Sequence, residues 1–357
     1  MPWSWVPAPA WWRAGSRPVW PTTCWGACDV ATATRTEAMG QGRTVAVTGG
    51  AGFIGSFLVE RLVSDGWRVV CIDNFDPFYP RHLKERNLAP LLGHPRFRLA
   101  LADVRRKEQL RAALRDEPVE AVVHLAARPG VRQSFSRPLA YLRSNVLGTM
   151  NVASLCREMG VRRLVLGSSS SVYGMVEGMA NEEMACRPLS PYGASKLAAE
   201  AVAAACATGG LSVVALRLFT VYGPRQRPDM ALERFASALM RGLPVYLHGD
   251  GLVRRDFTFV DDAVEALVLA LTAPLSGFQA INVGGGSPRA VGELLSLLEE
   301  QMGRRTKVLR LPLPEGDPPL TWADIGKARA LLGYVPRVGL EEGVRRYVEW
   351  RLRCGHA

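Results

Sequence analysis

The stretch Thr48-Gly-Gly-Ala-Gly-Phe-Ile-Gly55 follows a short β-branched run at 44–48 and leads into an amphipathic segment at 56–64. Glycines at 49, 52 and 55 permit a tight turn and a close approach of backbone to a pyrophosphate. The first N–H groups of the following helix, and its dipole, favour negative charge there. A glycine pattern alone is weak evidence. Here it lies between strand and helix, and Asp73 ends the next strand about twenty residues on. A carboxylate at that point accepts hydrogen bonds from adenosine ribose hydroxyls and repels a 2′-phosphate, which favours NAD over NADP. Asp103 and Val104, after the third strand, stand where they would flank an adenine.

Outward from this motif, strands are expected at 44–48, 68–73, 97–102, 121–125, 163–167 and 211–218, with helical segments at 56–64, 107–116, 139–159 and 192–207. Such alternation predicts an α/β fold: right-handed crossovers and a Rossmann-type doubly wound parallel sheet. Beyond 218 the alternation loosens, Pro and Gly become frequent, and helices are expected at 231–241, 261–271, 291–302 and 340–353. We therefore expect an NAD-binding domain over 39–218 and a smaller, mixed, mainly substrate-binding domain over 219–357, some of whose segments return to the first.

The chain has 357 residues, 48% apolar and 22% charged, which excludes global disorder. Its net charge is +11, yet of 44 Lys and Arg residues only five are Lys, and the longest basic run is the three residues Arg105-Arg106-Lys107. The basic residues are spread along the chain without aromatic interleaving, so no nucleic-acid partner is expected. The longest strongly apolar stretch, 201–216, is broken by Gly209-Gly210 and is too short for a bilayer, so no membrane partner is expected either. Seven cysteines form no Cys-x-x-Cys pair, which suits a reducing cytoplasm. The five histidines are isolated in sequence, and no metal site is expected. Residues 1–38 hold six of nine Trp residues without any period. They read as a disordered extension or a mis-assigned gene start, with Met39 opening a chain of 319 residues.

A second motif is Tyr192-Gly-Ala-Ser-Lys196. Positions i and i+4 share a helical face, so phenol and ammonium would be neighbours. A nearby cation favours phenolate and makes Tyr192 a usable base. Upstream, Gly167-Ser-Ser-Ser-Ser-Val-Tyr-Gly174 follows a strand and offers hydroxyls at its C-terminal edge, where such sheets bind ligands.

Taken together, these stretches resemble the extended short-chain dehydrogenase/reductase family over residues 43 to about 350. The motifs stand in family order: TGGAGFIG, IDNF at 72–75, ADV at 102–104, HLAA at 124–127, Asn145, SSSSVYG, YGASK and RDFTFVDD at 255–262. The resemblance implies Tyr192 as catalytic acid/base, Lys196 as its partner on the nicotinamide ribose, and Ser169 as the hydroxyl that bonds the reacting sugar oxygen. It implies NAD contacts from Gly49, Gly52, Phe53, Ile54, Gly55, Asp73, Asn74, Asp103, Val104, Leu125, Ala126, Asn145, Tyr192 and Lys196. It also implies a homodimer built on the apolar faces of the helices at 142–152 and 197–205.

Sugar 4,6-dehydratases carry Asp-Glu directly after the catalytic hydroxyl, where this chain has Ser170 and Ser171. A Glu typical of UDP-glucuronate decarboxylases is absent from the same segment. The stretches RLFTVYGPRQRPDMAL at 217–232, IDNFDPFYPRHLKERNL and AARPGVRQS instead resemble the UDP-glucuronate 4-epimerases. The expected substrate is thus UDP-glucuronate, with Thr220, Ser170, Ser171 and Arg227 around its carboxylate and Arg255 and Arg132 on its diphosphate. Galactose-type epimerases place an Arg where this chain has Pro314, so the nucleotide clamp differs in part. The alternatives are a UDP-glucose or UDP-N-acetylglucosamine 4-epimerase, a decarboxylase, or a non-catalytic NAD-binding regulatory module.

Overall fold

The computed structural model describes residues 42–249 and 251–354; the expectation for 1–38 lies outside them. The expected strands form β1 (Thr44–Thr48), β2 (Arg68–Asp73), β3 (Phe97–Leu101), β4 (Val119–His124), β5 (Arg163–Ser169) and β6 (Ser212–Leu218). Between them lie α1 (Phe53–Ser64), α2 (Arg81–Leu88), α3 (Lys107–Leu114), α4 (Val131–Ser136), a long helix α5 over 138–158, and α6 (Pro191–Ala205). In the C-terminal part come β7 (Thr220–Tyr222), α7 (Ala231–Arg241), β8 (Val245–His248), β9 (Arg254–Phe259), α8 (Val260–Thr272), β10 (Phe278–Val283), β11 (Pro288–Ala290), α9 (Val291–Met302), β12 (Val308–Leu311), α10 (Gly326–Leu332) and α11 (Leu340–Cys354).

Seven strands build one parallel sheet in the order β10-β6-β5-β4-β1-β2-β3. Because side chains alternate across a strand, Val45 and Val47 face one layer and Ala46 the other. The first layer holds Leu58 and Leu62 of α1 together with Ala263 and Leu267 of α8. The second holds Leu110 and Leu114 of α3 together with Val152 and Leu155 of α5. Both faces are therefore covered, which explains strands that are apolar throughout rather than alternating. β10 pairs with β6 through Phe278↔Val213, so a segment from beyond residue 218 closes the main sheet. Smaller sheets β11-β9-β7 and β12-β8 carry the rest.

The helix expected at 139–159 is interrupted by a π-helical turn at Leu142–Leu147. Asn145 lies in this turn, and its side chain reaches back to the loop after β4. α2, α4 and α10 were not expected; each is eight residues or shorter, so periodicity gives little signal.

Candidate functional site

The strand order reverses between β1 and β4, and the loops after these strands meet there. Open α/β sheets bind ligands at such a switch point. Gly49 has φ +73°, and a Cβ on it would lie 2.7 Å from the Ala126 backbone nitrogen. A Cβ on Gly55 would lie 2.2 Å from the Gly49 carbonyl oxygen, so α1 rests directly on the turn. α1 has no side-chain cap and no acidic residue in its first turn, which leaves its opening N–H groups to a ligand. Gly52, Phe53, Ile54 and Gly55 line the cavity above them.

Asp73, nearly buried, accepts from the Ala51 N–H at 3.1 Å on one carboxylate oxygen and from the Phe75 N–H at 2.8 Å on the other. A carboxylate has about four acceptor positions, so two remain for hydroxyls of a ligand. Burial pushes its carboxyl above the ordinary value, and Lys84, which lines the same cavity, works against that. Asn74 donates to Asp103 at 3.2 Å; both line the cavity with Val104 and Arg105. Asp103 is held by Arg105, and its carboxyl lies below the ordinary value: hydrogen bonds from Arg105 and Asn74 outweigh burial. This end suits the adenosine of a dinucleotide, and the glycine turn suits its diphosphate.

The other end of the cavity is formed by Leu125, Ala126, Arg128, Ser168, Tyr192, Lys196, Leu218 and Arg227. Ser190 caps α6 by accepting from the Gly193 N–H at 3.1 Å, which fixes where that helix starts. Tyr192 and Lys196 then face the cavity together, one turn apart. The Lys196 ammonium donates to the Gly167 carbonyl at 2.6 Å, and burial lowers it to about 8 despite the opposing pull of Glu200. The expectation that Lys196 would depress the Tyr192 phenol is not met. Burial raises Tyr192, and the groups that favour its phenolate are Ser169, through a hydrogen bond, and Arg227, through its charge.

Other expected residues stand behind or beside this wall. Ser169 accepts from the Ser171 N–H at 3.1 Å and donates to its hydroxyl at 3.2 Å, so the serine run folds into one turn after β5. Asn145 does not line the cavity. Its side-chain oxygen accepts from the Arg128 N–H at 2.6 Å, and its amide donates to the Arg128 carbonyl at 3.0 Å and to Ser195 at 2.8 Å. Both amide hydrogens and one acceptor position of its oxygen are thus committed to the cavity loop and to Ser195 of α6. Arg227 does line the cavity, with Asp229 gripping two of its nitrogens at 2.9 and 3.1 Å. Thr220 opens β7 opposite Phe257, and it does not line the cavity; nor do Ser170 and Ser171. Arg132 and Arg255 also lie outside its lining, but both face Asp317, at 3.6 and 3.4 Å. The two expected phosphate ligands are therefore brought together, from α4 and β9, by a shared carboxylate.

Residues the sequence reading did not single out include Ser168, Arg128, Phe78, Tyr79 and Lys84. The last three lie in IDNFDPFYPRHLKERNL, a stretch without helical or strand period, so only its likeness to other chains marked it. The guanidinium groups of Arg128 and Arg227 each lie 5.8 Å from the centre of the Phe78 ring. Among the described residues no three His, Cys, Asp or Glu side chains group to hold a metal ion. No helix among them is long and apolar enough to cross a membrane.

Comparison with known proteins agrees with this geometry. The chain is 38% identical over 307 residues to the UDP-glucuronate 4-epimerase of Thermodesulfobacterium geofontis (strain OPF15), covering 85% of this chain and 94% of that protein. Its fold is similar to that of UDP-glucuronic acid 4-epimerase from Bacillus cereus, solved with UDP-glucuronic acid and NAD: TM-score 0.83, 36% identity, covering 87% of this chain and 99% of that one. MoeE5, solved with UDP-glucuronic acid and NAD and also with UDP-glucose and NAD, has a TM-score of 0.79 and 42% identity, with coverage of 87% and 99%. The model of the NAD-dependent epimerase/dehydratase family matches residues 45–284. With the glycine turn, the Asp73 carboxylate and the Tyr-Lys pair on one cavity, the chain belongs to the NAD-dependent epimerase/dehydratase family.

Proposed function

We propose that this chain interconverts UDP-glucuronate and UDP-galacturonate by inverting carbon 4 of the sugar, with NAD held throughout. The observation that carries the reading is that Tyr192, Lys196 and Arg227 line the same cavity as the glycine turn and Asp73. Relatives at 36–38% identity bearing the name of this activity support it.

Tyr192, hydrogen-bonded by Ser169 and facing the positive charge of Arg227, takes the proton of the sugar 4-hydroxyl as the carbon becomes a ketone. NAD, when bound, would supply the hydride acceptor for carbon 4 and return the same hydride, so none would be consumed. Lys196, anchored on the Gly167 carbonyl, holds the ribose beside Tyr192 and supplies positive charge. The 4-keto sugar turns about its diphosphate linkage and presents the opposite face of carbon 4 for return of the hydride, while Tyr192 gives the proton back to the carbon-4 oxygen. A 4-keto uronate is a β-keto acid, prone to lose carbon dioxide. Arg227, with Ser170, Ser171 and Thr220, fixes the carboxylate and limits that loss. Arg132 and Arg255 take the diphosphate, since Arg offers a planar fork to phosphate oxygens.

In this reading 39–218 mainly serves the cofactor and 219–357 mainly the sugar nucleotide. The chain works in the cytoplasm as a homodimer. Leu139, Leu142 and Met150 of α5, at 65, 46 and 45% exposure, supply an apolar face for that contact.

The test is substrate preference. The account expects a higher kcat/KM for UDP-glucuronate than for UDP-glucose, and a loss of that preference in Arg227→Ala. Equal turnover of both sugars by the wild type, or an unchanged preference in the variant, would contradict it.

A further inference from the structure

Tyr79 belongs to the loop between β2 and α2, and its hydroxyl is buried without any hydrogen-bond partner. A buried hydroxyl left unpaired is costly, so such a group calls for a partner that arrives with a ligand. Its position says which part of the ligand. Tyr79 lines the cavity, and a Cβ placed on Gly52 would lie 4.0 Å from the hydroxyl oxygen. The oxygen therefore sits over the start of α1, where the opening N–H groups have no side-chain cap. The ring is held there by the Lys84 ammonium, 4.6 Å from its centre, and Lys84 is itself tied to the Asp76 carbonyl at 2.8 Å. Burial keeps the phenol protonated well beyond neutral pH, so it is available as a donor.

We infer that the Tyr79 hydroxyl donates a hydrogen bond to the diphosphate of the bound dinucleotide, completing from the β2–α2 loop the anion site that α1 begins. This rests on the reading of the cavity as the NAD site, and it gives the 75–80 loop a part in retaining the cofactor.

Tyr79→Phe removes only the oxygen. The full-length protein, freed of nucleotide, is titrated with NAD, with ADP and with adenosine as competitors, and its unfolding midpoint is recorded without ligand. A hydrogen bond to a charged group corresponds to a loss of about tenfold or more in affinity. The inference expects that loss for NAD and ADP alike, unchanged competition by adenosine, and an unfolding midpoint no lower than that of the wild type. It is overturned if NAD binds the variant as tightly as the wild type. It is overturned equally if adenosine weakens by the same factor, or if the variant unfolds earlier without ligand, which would mean the oxygen serves the protein. Failure of the wild type to bind NAD would strike the cofactor reading instead.

Discussion

Glu200 and Arg217 form a buried ion pair at 2.8 Å, one helical turn along α6 from Lys196. Glu200 also accepts from Ser168, and Arg217 also donates to the Tyr173 hydroxyl at 3.0 Å. Tyr173 in turn donates to Asn282 of β10 at 2.6 Å. A chain of charge and hydrogen bonds thus runs beneath the catalytic wall from α6 through β6 to β10.

Breaking one side of this pair should be costly, because the partner's charge stays buried and unpaired. Glu200→Gln is expected to lower stability by about 3–5 kcal/mol. Replacing both members together, as Glu200→Gln with Arg217→Met, should cost less than the sum. Urea unfolding of the three variants checks this.

His124 is buried between Thr48, at 2.6 Å, and Thr149, at 3.2 Å, and burial together with Lys196 lowers its pKa to about 3. An unfolded histidine titrates near 6.5. Between these values the unfolded chain binds the extra proton, so this group's contribution is present above about 6.5 and is lost as pH falls toward 3. The slope is about 1.4 kcal/mol per pH unit. His124→Gln should flatten the stability profile over that window, as measured by denaturant unfolding across pH.

Lys196 gives a second window of the same sign at higher pH. Its folded pKa of about 8 lies below the unfolded 10.5, so the unfolded chain holds more protons between them. Stability should rise with pH across that interval through this group. Ligand-free Lys196→Met should lack the rise; an unchanged slope would remove Lys196 as its source.

Gly55→Ala places a methyl group 2.2 Å from the Gly49 carbonyl, in a contact of backbone against backbone that no side chain can relieve. Overpacking of this kind costs about 1–3 kcal/mol. The variant should unfold at lower denaturant and bind NAD more weakly, both measurable on one preparation.

Much of this site was legible because its parts are local in sequence. The glycine turn, Asp73, the serine run and the Tyr-Lys pair each follow a strand or start a helix, so the fold class places them on one edge. The doubly wound parallel sheet itself rested on the alternation of β-branched runs with helical ones. What the sequence could not give is side-chain pairing over long separations. Arg132 and Arg255 share Asp317 across 185 and 62 residues. Asn145 carries a family position but spends its side chain on the Arg128 backbone, because a π turn swings it toward that loop. Tyr79 gave no signal, since its hydroxyl is defined by what it lacks.

The most direct test follows UDP-glucuronate with the purified protein and identifies the product by NMR, with Tyr192→Phe in parallel. The account predicts UDP-galacturonate, no net change in NAD, and no detectable product from Tyr192→Phe. A UDP-pentose formed with release of carbon dioxide, conversion of UDP-glucose but not UDP-glucuronate, or an active Tyr192→Phe would contradict it.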